Sequence, residues 1–269
     1  MKGIVSQQLK ALLTTPPIVT SKSGFSIFVS HDSFIEIQDE VDIQNLVFGK
    51  RMERLFSHYI QQSHRYSLIA ENMQIISEGV TLGELDFIIK DRRTKEFIHI
   101  EMACKFYIFK PGLSADALQC WVGPNNKDRL ADKLSKLKNH QFPLLHHTAT
   151  RHLLQPLKLS PKNLTQQLFL PGLLFTPKKH QVSSPQINPM AIAGYWLSQS
   201  EFQNQDFSGA LLHIPAKEDW LTHPKTATDW LTEKEVKILI MERLEKKKSP
   251  MVWLKTMNGS YERFFVLWW

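Results

Sequence analysis

Between Gly83 and Phe109 the chain reads GELDFIIKDRRTKEFIHIEMACKFYIF, and the residues in it able to do chemistry are Glu84, Asp86, Glu101 and Lys105. Carboxylates are costly to desolvate, yet these sit inside apolar runs that alternate as strands do. Leu82 to Lys90 sets Glu84, Asp86, Ile88 and Lys90 on one face against Leu85, Phe87 and Ile89. Phe97 to Phe109 reads as a second run, with His99, Glu101, Ala103, Lys105 and Tyr107 on the polar side. The charged turn KDRRTK joins them, so adjacent strands can bring Asp86 and Glu101 together. Two carboxylates that close repel, and one keeps a proton unless a cation neutralises them. Mg²⁺ or Mn²⁺ suits such oxygen donors; an ion of this kind polarises a phosphodiester and activates water. A nearby lysine stabilises the negative charge that develops. The competing reading is a wet sheet face on which the acids pair with Lys90 and Lys105.

Other elements must position these groups. NLVFGKRMERLFSHYIQ (45–61) spaces Phe48, Met52, Leu55, Phe56, Tyr59 and Ile60 as the buried stripe of an amphipathic helix, with Glu53 at its edge. An extended stretch around YSLIAENMQIISEG follows. After the acidic runs, VGPNNKDRLADKLSKLKNHQ predicts a turn and then a helix with Leu130, Leu134 and Leu137 inward. Its lysines are either a solvated face or a seat for a phosphate backbone. Gln141 continues the leucine stripe, as a site contact or a simple helix end. QQLFLPGLLF (166–175) reads as a strand interrupted at Pro171-Gly172, and TPKKHQVSSPQINP as a linker or long loop.

Beyond the loop the composition shifts, with six of the seven tryptophans after residue 190. A helix is predicted from a capping box at Thr232 and Glu235 up to Pro250, followed by a hairpin around Asn258-Gly259. The tryptophans are core or a surface for a protein partner. A chain of 269 residues with 42% hydrophobic content can bury a core without staples. Cys104 and Cys120 match no zinc or redox spacing, and no apolar run reaches membrane length, so a cytoplasmic protein is expected. The net charge of +7 favours an anionic partner. His146, His147 and His152 lack a ligand framework, and there is no phosphate-binding glycine loop, nucleophile elbow or dinucleotide fingerprint.

GELDFIIKD followed by FIHIEMACK resembles the core of the PD-(D/E)XK, or restriction-endonuclease-like, nuclease superfamily. LKALLTTPPIV, FGKRMERLF and CWVGPNNKDRLADKLSKLKNHQ also resemble a bacterial family of unknown function, number eighteen fifty-three, across most of the first 175 residues. The resemblance implies Asp86 and Glu101 as metal ligands, the Met102 carbonyl as an additional one, Glu53 as the acid of the first helix, and Glu84 as a further ligand. It also implies a lysine two residues past the glutamate, where this chain has Ala103. Lys105 is the expected replacement, reaching back over two strand positions, about 6.6 Å; Lys90 or Lys133 are the others.

The resulting expectation is an α/β fold: a restriction-endonuclease-like core with a mixed central sheet flanked by helices (1–178), and a small tryptophan-rich α+β extension (179–269). The expected function is Mg²⁺- or Mn²⁺-dependent hydrolysis of nucleic acid, DNA first, by Asp86, Glu101, Lys105 and Glu53. Lys127, Arg129, Lys133 and Gln141 would contact the nucleic acid. A noncatalytic nucleic-acid-binding module and an interaction scaffold built on the C-terminal region are the alternatives.

Overall fold

A computed structural model describes residues 2–30 and 41–269. Its α-helices are α1 (Lys2–Thr14), α2 (Phe48–Gln62), α3 (Leu130–Lys136), α4 (Phe142–Leu144), α5 (Thr148–Leu154), α6 (Gln199–Asn204) and α7 (Glu233–Glu245). A wider π turn, Leu137–Gln141, joins α3 to α4. The strands are β1 (Tyr66–Ser77), β2 (Val80–Asp91), β3 (Phe97–Met102), β4 (Lys105–Phe109), β5 (Trp121–Val122), β6 (Leu164–Phe169), β7 (Gly172–Pro177), β8 (Ile192–Ser198), β9 (Leu211–His213), β10 (Met251–Lys255) and β11 (Tyr261–Leu267). The class is mixed α/β, with two mixed sheets, and no helix among the described residues is long and apolar enough to cross a membrane.

The chain divides into two compact units that interleave in sequence instead of parting at one cut near residue 178. Met1–Cys104 and Asp132–Pro171 form the first unit; Lys105–Ala131 and Gly172–Trp269 form the second. In the first, the sheet order is β1-β2-β3-β6. The strands β1, β2 and β3 pair antiparallel, and β6 joins β3 in parallel. The stripe of α2 is buried as its spacing predicts. Phe56 packs edge-on to Phe87 of β2, centroids 5.1 Å apart, and against Phe169 of β6 at 4.8 Å. Ile88 of β2 packs instead with Leu145, Leu154 and Leu164. By alternation along β2, that second face is also the one on which Asp86 lies.

The second unit carries the order β5-β4-β7-β8-β11-β10-β9, parallel from β4 through β11 and antiparallel at both ends. Val236, Ile240 and Leu244 of α7 and Phe202 of α6 cover Phe264 and Val266 of β11. The Thr232–Glu235 capping box forms, and β10 and β11 make the hairpin around Asn258-Gly259.

One expectation is corrected here. Phe97 to Phe109 is not a single strand: β3 ends at Met102, Ala103 and Cys104 leave the ladder, and β4 begins at Lys105 in the other sheet. The apolar alternation continues across the break because residues on both sides are buried, so the pattern carries no mark of the change. Leu170-Pro171 makes the matching break between β6 and β7, with Gly172 the first residue of β7.

Candidate functional site

The first unit brings together Asp86, Glu101, His99, Gln141, Lys133 and Gln166. Phe87 pairs with Ile100 across β2 and β3, which makes Asp86 and Glu101 the next neighbours along the two strands. The Met102 amide donates to Asp86 Oδ2 at 2.8 Å and ties the aspartate to the end of β3. Burial and the neighbouring Glu101 charge push the Asp86 carboxyl up to about 7. Glu101 is fully buried, and burial pushes its carboxyl up to about 8, against the opposing pull of Lys133.

A chain of hydrogen bonds fixes Glu101, and its donors can be assigned by elimination. Gln166 lies beside His99 in the parallel β3–β6 register. One amide nitrogen of Gln166 reaches both the Phe142 carbonyl, at 2.8 Å, and His99 Nδ1, at 3.1 Å. A carbonyl only accepts, so the Gln166 group is the NH₂ and His99 Nδ1 is the acceptor. The His99 proton is therefore on Nε2, which donates to Glu101 Oε1 at 3.0 Å. Burial lowers His99 to about 4, so this donor is neutral imidazole and the contact is a hydrogen bond, not an ion pair. On the other side, Lys133 Nζ donates to Gln141 Oε1 at 3.3 Å, which leaves the Gln141 NH₂ to donate to Glu101 Oε2 at 2.9 Å. Two donors thus favour the glutamate anion while burial resists it.

The π turn is what allows Lys133 and Gln141 to meet. On a regular α-helix, residues eight apart diverge by roughly 80° around the axis. The wider turn over Leu137–Gln141 takes up that offset, and such insertions recur at functional sites.

The other expected residues distribute unevenly. Glu53 and Glu84 lie together at Lys50, whose ammonium contacts Glu53 at 2.6 Å and Glu84 at 3.6 Å. They line a cleft of about 460 Å³ with Arg54, Glu71 and Asn72. Glu53 also raises the proton affinity of Asp86 and Glu101 through its charge. Lys105, by contrast, belongs to the second unit and pairs with Asp128 at 2.9 Å. Lys127 and Arg129 are exposed in that unit. The Lys90 ammonium stacks on Phe97 at 5.1 Å. The positive charge that acts on both carboxylates is Lys133. Met102 contributes its amide.

Sequence reasoning placed His99 on the face of Glu101 without giving it a role, and it did not single out Gln166. His99 carried a signal, a histidine two residues before an acid in an apolar run. Gln166 carried none, being 67 residues from its partner.

Asp86 and Glu101 fit a hard divalent cation in donor chemistry: both are carboxylates, and the charge of Glu101 raises the affinity of Asp86 for a proton. Among the described residues no three His, Cys, Asp or Glu side chains converge as a ready-made metal group. Mg²⁺ usually takes few protein carboxylates, retains waters and accepts phosphate oxygens.

No curated protein and no solved structure matches the chain. The profile of a family described as "Domain of unknown function (DUF1853)" matches residues 33–266. Because that match spans most of the sequence, the chain belongs to the DUF1853 family.

Proposed function

We propose that this protein is a divalent-metal-dependent nuclease with a restriction-endonuclease-like core, acting on DNA. The observation that carries the reading is the adjacent Asp86–Glu101 pair, Asp86 half-buried and Glu101 fully buried, backed by Lys133 through Gln141. Asp86 and Glu101 would hold Mg²⁺ or Mn²⁺, which when bound supplies Lewis-acid polarisation of a phosphodiester and a more acidic water. The chain's own contribution is positional. The Met102 amide sets Asp86, and neutral His99 and Gln141 set both oxygens of Glu101. Lys133, on α3, takes the part of the superfamily lysine that Ala103 lacks, offering positive charge to the phosphorane-like transition state. Glu53 and Glu84 extend the acidic wall, where Lys50 neutralises part of their charge.

The test is cleavage of single-stranded, duplex and branched DNA and of RNA, with Mg²⁺, Mn²⁺ or chelator, by wild type, Asp86→Asn and Lys133→Ala. Metal-dependent cleavage lost in both variants supports the reading. If no substrate is cut with either metal and Mn²⁺ binding is unchanged by Asp86→Asn, the proposal is wrong. DNA binding that persists in that case favours the noncatalytic module.

A further inference from the structure

A second cleft, of about 650 Å³, lies wholly within the second unit, near the end of α7. Lys217, Arg243, Lys246 and Lys248 line it, with Glu242 the single acidic residue among the described residues of the lining. Cations are expected near a helix C-terminus, where they offset the negative end of the dipole. That accounts for Arg243 and Lys246 but not for the rest. Lys217 comes from a separate short turn before Trp220, its ammonium 5.7 Å from that ring. Past α7 the backbone folds back: Lys247 takes a left-handed conformation, its amide bonding the Leu244 carbonyl and that of Lys248 the Arg243 carbonyl. This reversal, not the helix itself, brings Lys248 and Ser249 into the lining.

Three features distinguish the cleft from a solvated lysine face. Arg243 is half-buried, and burial lowers its proton affinity. Among the described residues, no carboxylate pairs with Arg243, Lys246 or Lys248. Ser249 is 3% exposed and its hydroxyl has no hydrogen-bond partner among the described residues, while its amide is fixed to Asn125 Oδ1 at 3.0 Å. A partly desolvated guanidinium, flexible ammonium groups and an unused hydroxyl donor are the complement of a phosphate group.

We infer that this cleft binds phosphate-bearing ligands of the nucleotide class, either as a free nucleoside polyphosphate or as the backbone of a nucleic-acid strand. The inference does not depend on catalysis by the first unit.

The experiment uses full-length protein in chelator, where no metal-dependent turnover occurs. Fluorescence anisotropy reports binding of a short labelled oligodeoxythymidylate over a range of salt and, separately, of a fluorescent ATP analogue, with unlabelled ATP as competitor. Lys246→Glu with Lys248→Glu tests the cleft. Lys22→Glu with Lys95→Glu, exposed lysines of the first unit, makes the same change in net charge elsewhere. The cleft pair should weaken binding about tenfold and lower the salt slope by about 1.4, two lost phosphate contacts at roughly 0.7 each. The control pair should change affinity less than about twofold, within the loss expected from long-range charge alone. Competition by ATP assigns the cleft to a nucleoside polyphosphate; oligonucleotide binding without competition assigns it to a strand. Absence of binding by both probes, or equal losses in the two charge-reversal pairs, overturns the inference.

Discussion

Asp86→Asn should stabilise this protein at alkaline pH and leave it unchanged in acid. Asp86 is pushed from an ordinary 3.8 up to about 7 by burial and by Glu101. The native state therefore holds a proton that the unfolded chain releases between those values. Stability contributed by this group is complete below about pH 4 and falls as pH rises, until it is lost near the folded value. The interval is roughly three pH units, so at about 1.4 kcal/mol per unit the ionised aspartate costs about 4 kcal/mol. Solvent reaching the partly exposed carboxylate reduces that to about 2–4 kcal/mol. Asparagine removes the charge and keeps an oxygen to accept the Met102 amide proton, so the substitution leaves the hydrogen bond in place. Urea unfolding of both proteins in chelator at pH 4.5 and pH 8.5 measures the effect, because titrating groups not coupled to Asp86 cancel in the difference. A variant more stable by about 2–4 kcal/mol at pH 8.5 and by no more than about 1 kcal/mol at pH 4.5 is the expected result. A variant that is less stable at pH 8.5, or whose difference does not change with pH, refutes the carboxylate-pair geometry.

Long-range proton–nitrogen NMR should find His99 as the Nε2–H tautomer, neutral at pH 5.5, since burial lowers it to about 4; a protonated ring at that pH refutes the assignment. In the nuclease assay, Lys133→Ala should lower kcat by about 10²–10³. Lys105→Ala should leave kcat within about twofold, since its ammonium is paired with Asp128 and Lys133 supplies the charge; the reverse ranking would restore Lys105 to the site.

The amphipathic stripe of α2, the capping box of α7, the hairpin at Asn258-Gly259 and the alternation that sets Asp86 and Glu101 on polar faces all follow from local periodicity and turn chemistry. These are properties of residues close in the chain, which is why the sequence by itself determined them. Phe97 to Phe109 was misread as one strand because alternation describes which face a residue takes and is silent on which sheet it joins; the break at Ala103-Cys104 was decided by pairing β3 with β6 and β4 with β7. The meeting of Lys133 and Gln141 required a π turn that helical spacing does not announce. The partnership of His99 with Gln166 required a parallel strand register across 67 residues. In each case the deciding term was the burial of apolar faces between distant segments, which fixes where polar groups finish. The carboxylates were legible in the sequence; only the tertiary structure decided which cation and which donors surround them.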